Sequence, residues 1–113
     1  MLAITRTAAL AGIEGISVKA EVDSGRGLPS FHIIGLGDTA VKEAADRVRS
    51  AIINSGFEYP KGRVTVNLSP AWIHKRGSHY DLAMAVGLLI AQGSISQQAA
   101  ERKAFIGELA LTG

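Results

Sequence analysis

Three short stretches of this chain carry residue types that chemistry uses. The first is Gly35-Leu36-Gly37-Asp38-Thr39-Ala40, which follows the apolar run "FHIIG" and opens a helical pattern. Strand, glycine turn and helix in that order match G-x-G-x-x-G/A, where backbone amides at a helix N-terminus cradle a pyrophosphate. Two strand-like segments precede it, however, and they alternate like antiparallel neighbours, which a doubly wound sheet does not ask for. The acidic residue about 20 positions on, Glu58, lies in the turn "GFEYPKG" and not at the end of a strand. The turn is therefore expected to be structural. No G-x-x-x-x-G-K-[ST] loop occurs anywhere in the chain.

The second stretch is "GSHYD", with Ser78, His79 and Asp81 almost adjacent. A catalytic relay needs its base between nucleophile and orienter in space, which neighbours in sequence cannot supply. Ser78 or Asp81 is expected instead to cap the helix that follows. The third is the histidine set. His74 and His79 stand five apart, with Asp81 as an obvious third ligand and His32 far away. Without a helical i,i+4 pair this spacing is unspecific for a metal. Trp72, the lone tryptophan, is flanked by His74, Lys75 and Arg76. An aromatic beside cations can stack on a base, but the expectation here is a loop tryptophan plugging the core.

Charge is unevenly spread. The net formal charge is only +2, yet residues 42–76 hold seven basic side chains against three acidic ones, a local excess of +4. Such a segment is first of all a solvated face; it is also a surface that phosphate would meet. By charge alone the candidate DNA contacts are Arg47, Arg49, Lys61, Arg63, Lys75 and Arg76, and Arg26 in the loop "SGRGLPS" is a further basic contact point.

The elements that must position these groups follow from periodicity. Residues 2–10 and 15–24 read as strands, with Ile16, Val18, Ala20 and Val22 alternating against Ser17, Lys19, Glu21 and Asp23. Period 2 with one polar face predicts a sheet covered on one side. Gly12 and Gly15 bracket the connection, so the two form a hairpin. "FHIIG" is a third strand. A helix follows, capped by Asp38, stopped by Gly56, striped by Val41, Ala45, Val48 and Ile52, and flanked by the i,i+4 pairs Lys42–Asp46 and Glu43–Arg47. "RVTVNLS" is the next strand, and "LAMAVGLLIA" a buried helix that begins at Asp81 and ends at Gly93. Ser94 and Gln97 have capping-box spacing for a short third helix, and residues 104–111 read as a final strand.

A length of 113 residues suits a single domain of the common size, roughly 100–150 residues. With 47% apolar residues a core forms without staples. The absence of cysteine removes disulfide frameworks, zinc ribbons and thiol catalysis, and fits a reducing cytoplasm. The start "MLAITRTAAL" has no signal-peptide pattern, and no apolar run approaches the roughly 20 residues of a membrane span. The chain stops at Thr112-Gly113 without a closing element and reads as the front piece of a longer protein.

Three blocks, "GLPSFHIIGLGDTAVKEAADRVRSAI", "VTVNLSPAWIHKRGSHYDLAMAVGLLIA" and "FIGELALTG", together resemble the amino-terminal, Lon protease-like domain of the Mg-chelatase-like AAA+ proteins, the ComM/YifB family. The resemblance covers nearly the whole chain. It implies an α+β domain with two layers, a mixed sheet backed by helices, of the ribosomal protein S5 domain 2-like fold. It implies no catalytic, cofactor or metal site within residues 1–113; ATP and Mg2+ belong to an AAA+ module that would follow. It further implies a cytoplasmic, hexameric motor that drives DNA branch migration in transformation and recombination, with no membrane partner. Lon-type proteases place their serine just before a buried helix. Matching that turn puts His79 at or near the serine's place, with Ser78 about one residue off, and leaves the partner lysine beyond Gly113. A residual serine hydrolase, or a protein-interaction module without a nucleic-acid role, are the alternatives. Members of the family often carry proline where Gly37 stands, and proline has no N–H for a phosphate.

Overall fold

Alternation decides which way each strand faces. The computed structural model describes residues 2–11 and 14–113, with β1 at Leu2–Ala11 and β2 at Glu14–Gly25. The two pair antiparallel from Leu2–Asp23 to Ala11–Glu14, the expected hairpin. Gly15 pairs with Leu10, while Gly12 lies outside the described residues. β3 is Ser30–Ile34 and β4 is Arg63–Ser69. The sheet order is β1-β2-β4-β3, with β4 antiparallel to β2 and parallel to β3. A parallel pair needs a crossover, and α1, Asp38–Asn54, supplies it. The second helix, α2, is Asp81–Ala91. The result is a mixed α+β fold of one four-stranded sheet and two helices.

Ala3, Ala9, Val18, Ala20, Val22, Val64, Val66 and Leu68 are buried toward the helices, whereas Ser17, Lys19 and Asp23 stay exposed. The sheet is covered on one side, as period 2 predicts. β1 turns small residues inward, which lets α2 come close. Thr5 Oγ1 donates to the Ala83 carbonyl at 2.6 Å, and Gly87 faces Val22 across a gap with no room for a methyl group.

Several expectations are corrected. α1 is entered from Gly37 with no side-chain cap, and Asp38 sits in its first turn, opposite the positive end of the helix dipole. Its buried residues are Ala44, Val48, Ala51 and Ile52; Val41 and Ala45 are half-buried, because the helix touches both the sheet and α2. Gly56 and Gly93 adopt left-handed φ of 87° and 85° and stop the two helices as expected. Neither Ser78 nor Asp81 caps α2, since Tyr80 holds the N-cap position without a side-chain bond. Ser96, not Ser94, caps a single 3-10 turn at Gln97–Ala100 by accepting from the Ala99 N–H. Gln97 instead reaches the edge of β1, accepting from the Ile4 N–H at 2.9 Å and donating to the Ile4 carbonyl at 2.7 Å.

Residues 104–111 do not form a strand. Ala104 makes one isolated parallel bridge with Arg6, and the Phe105 N–H donates to the Arg6 carbonyl. The chain then turns across the start of α2, where Gly107 exchanges backbone bonds with His79 and Leu82. Trp72 does not plug the core: it is 79% exposed, and Tyr80 fills the interior. Among the described residues no helix is long and apolar enough to cross a membrane.

Candidate nucleic-acid interface

The six candidate cations divide into three groups. Arg47 is consumed by the fold. Its Nε and Nη2 donate to the two carboxylate oxygens of Asp81 at 2.6 and 3.2 Å, and the Leu109 N–H adds a third bond to that carboxylate at 3.1 Å. Asp81 is 1% exposed, so this pair joins α1, α2 and the final segment inside the molecule. Of the expected i,i+4 pairs, Glu43 approaches Arg47 only at 3.9 Å. The Asp81 hydrogen bond, and then its charge, hold Arg47 more firmly protonated than usual. Lys75 is also internal, 5% exposed, its Nζ donating to the Pro70 and Ile73 carbonyls at 2.8 Å each. Burial pushes its pKa below the usual lysine value.

Arg49, Lys61 and Arg63 are exposed and gather at one end of the sheet. Arg63 opens β4 and pairs with both Gly25, the last residue of β2, and Ser30, the first of β3. Gly62 packs so closely on the Gly25 carbonyl that any side chain there would collide with it. That contact brings the Lys61 turn against the loop carrying exposed Arg26. Arg49 descends from α1 onto the same end, its guanidinium 5.7 Å above the ring of Tyr59. Tyr59 in turn lies 6.4 Å from Phe31 at an interplanar angle of 26°. Burial pushes the Tyr59 phenol up to about 12, against the lowering influence of Arg49. Pro29, Phe31, Arg49 and Tyr59 line a shallow cavity of about 240 Å³.

Arg49 stands over the Tyr59 ring while Arg26, Lys61 and Arg63 are exposed at the same end of the sheet, and the four cations make that end suited to phosphate. None of the four takes part in an ion pair among the described residues. Charge alone did not single out Phe31 and Tyr59, although Tyr59 stands in the turn "GFEYPKG" two residues before Lys61 and Phe31 two residues after Pro29, a legible signal. Arg76 is elsewhere, lining a cavity with Trp72 at the opposite end of the sheet.

The remaining motifs have other occupations. Gly35 has φ of 107°, and a Cβ there would stand 2.7 Å from the Leu68 carbonyl, so this glycine makes the corner between β3 and α1. β3 is an edge strand, not the central one that a dinucleotide site uses. His79 Nε2 donates to the Ala8 carbonyl at 2.8 Å and Asp81 belongs to Arg47, so Ser78, His79 and Asp81 form no relay. Among the described residues no three side chains converge as metal ligands.

Residues 20–113 match the family described as subunit ChlI of Mg-chelatase. The chain belongs to this ChlI family. Its relatives include YifB of Escherichia coli strain K12, 46% identical over 112 residues, and the competence protein ComM of Haemophilus influenzae, 44% identical over 112 residues. In both cases 99% of this chain is aligned. Rv2897c of Mycobacterium tuberculosis is 43% identical over 105 residues, 93% of this chain. The chain spans about a fifth of the length of these relatives, 22% of the first two and 21% of the third. As a ChlI-family segment it therefore corresponds to one part of a much larger polypeptide in each relative.

Proposed function

We propose that this chain is a non-catalytic accessory domain of a Mg-chelatase-related AAA+ ATPase, with the ribosomal protein S5 domain 2-like fold, serving DNA contact and ring assembly. ATP and Mg2+ would act in a separate AAA+ module, and a homohexamer working on DNA branch migration in the cytoplasm is the setting that suits it. Family membership supports the class, and the name of the Haemophilus relative, a competence protein, supports a role in DNA uptake or recombination. The observation that carries the DNA reading is the convergence of Arg26, Arg49, Lys61 and Arg63 from two loops, a helix and a strand onto one end of the sheet. Phosphate contacts release counterions, so binding should weaken by a log–log slope of about −0.9 per phosphate engaged. Fluorescence anisotropy of labelled duplex DNA at rising salt tests this. Steep salt dependence that is lost in Arg49→Glu/Lys61→Glu/Arg63→Glu is the expected result; no binding even at low salt would remove the DNA role.

The assembly role draws on a different surface. Ala51, Phe57, Leu82, Val86, Leu89 and Leu109 line an apolar groove of about 140 Å³ between the helices, with Phe57 exposed. Exposed apolar side chains in a contiguous patch favour a protein partner. Phe57→Ser in the full-length protein should lower the oligomer fraction in sedimentation velocity, while leaving the fold's far-UV circular dichroism unchanged.

A further inference from the structure

At the opposite end of the sheet, the loop 70–77 is held open in a specific way. Ile73 and Lys75 are buried, the lysine tied to two loop carbonyls, while the alternate residues Trp72, His74 and Arg76 are exposed. His79 anchors the following turn to β1 through the Ala8 carbonyl and lies 4.0 Å from the Tyr80 ring. This loop, with Leu10 and Ile16 from the β1–β2 hairpin, lines an open cavity of about 740 Å³. That volume falls within the roughly 300–1,000 Å³ of small-molecule sites.

An indole left largely in water beside a cavity that two aliphatic side chains also line is an unused stacking platform. Among the described residues, the charged and titratable groups lining this cavity are Arg76, His74, His79 and the phenol of Tyr80, with no carboxylate. The ligand complementary to that lining is flat, apolar on its faces and anionic at its edge. An acidic peptide would satisfy the cations but would leave the indole face without a planar partner. A nucleobase with its phosphate satisfies both.

We infer that this cavity binds single-stranded nucleic acid, with a base stacked on Trp72 and its phosphate against Arg76. The bases of a duplex are already stacked on one another, so the site selects unpaired strand. It is separate from the basic end formed by Arg26, Arg49, Lys61 and Arg63, and does not depend on it.

Trp72 is the only tryptophan in the chain, so its emission reports directly on this cavity. Titrating the chain with oligothymidylate should quench that emission saturably, and Arg49→Glu/Lys61→Glu/Arg63→Glu should retain the quench even where duplex binding is lost. In anisotropy with labelled oligothymidylate, Trp72→Ala should weaken binding about 5- to 150-fold, the range of one base–aromatic stack, while Trp72→Phe keeps part of it. Arg76→Gln should reduce the salt slope by about 0.7, one single-strand phosphate. Because Trp72 and Arg76 are exposed, these variants leave the core untouched. Four results would overturn the inference: no binding of oligothymidylate, binding without a change in Trp72 emission, unchanged affinity in Trp72→Ala, or quenching by a glutamate-rich peptide but not by oligothymidylate.

Discussion

Arg47 and Asp81 show how two charges of one ion pair differ in what their removal costs. The Asp81 carboxylate is almost wholly buried, whereas the Arg47 side chain keeps 19% exposure and has Glu43 within reach. Arg47→Ala strands a buried carboxylate with, among the described residues, only the Leu109 N–H as donor, and should cost about 3–5 kcal/mol in urea unfolding. Asp81→Ala leaves a cation that turns to water and Glu43, so its cost should be smaller; equal or reversed costs would refute this asymmetry. Alkaline pH separates two further groups. The raised pKa of Tyr59 means the unfolded chain loses that proton first, so stability falls as pH rises from 10 to about 12. Tyr80, also raised by burial, adds to that fall. Lys75 acts in the opposite sense: with a folded pKa below 10.5, the unfolded chain binds more protons in the window beneath that value, and stability rises with pH there. Urea midpoints between about pH 9 and pH 12 should show a smaller alkaline fall in Tyr59→Phe and a lost rise in Lys75→Met.

Helix α2 is placed by a glycine. In an exposed helix, glycine to alanine gains roughly 0.5–1 kcal/mol. At Gly87 a Cβ would stand 2.6 Å from Val22 Cγ2, a branched side chain with little freedom to move away. Overpacking of about 1–3 kcal/mol exceeds the propensity gain, so Gly87→Ala should destabilise the protein, with a lower thermal midpoint. A neutral or stabilising result would mean that α2 sits farther from β2. The edge of β1 is closed by Gln97 and by Phe105, which occupy backbone groups that would otherwise offer themselves to another strand.

Across the whole molecule, the basic segment 42–76 is not one surface. Arg47 and Lys75 belong to the interior, Arg49, Lys61 and Arg63 to one end, and Arg76 to the other. In duplex-DNA binding, Arg47→Lys and Lys75→Met should therefore leave the salt slope unchanged, while each of Arg49→Gln, Lys61→Gln and Arg63→Gln should reduce it by about 0.9. A slope that falls equally for Lys75→Met and the three glutamine variants would show that net charge, not the patch, carries binding. The chain belongs to the ChlI family and aligns to about a fifth of the length of YifB and ComM, so these surfaces correspond to one part of each longer relative.

The order from the first strand to the second helix, the one-sided sheet and the inward residues Val18, Ala20 and Val22 of β2 were legible in the sequence, because periods of 2 and 3.6 and the glycine stops are local properties. β4 even has the boundaries its alternation implies. What the sequence could not determine was which groups meet across long separations. Asp81 resembles a cap until Arg47, 34 positions away, is brought to it. The run 104–111 has strand composition, but β1 holds only Ala104 and Phe105, while Gly107 and Leu109 bond to α2 and Leu111 to Asn54 of α1. Trp72 reads as core until Tyr80 fills that space, and four cations become a cluster only when two loops, a helix and a strand end at the same place. Partner choice of this kind depends on distances set by packing, and no window along the chain contains them.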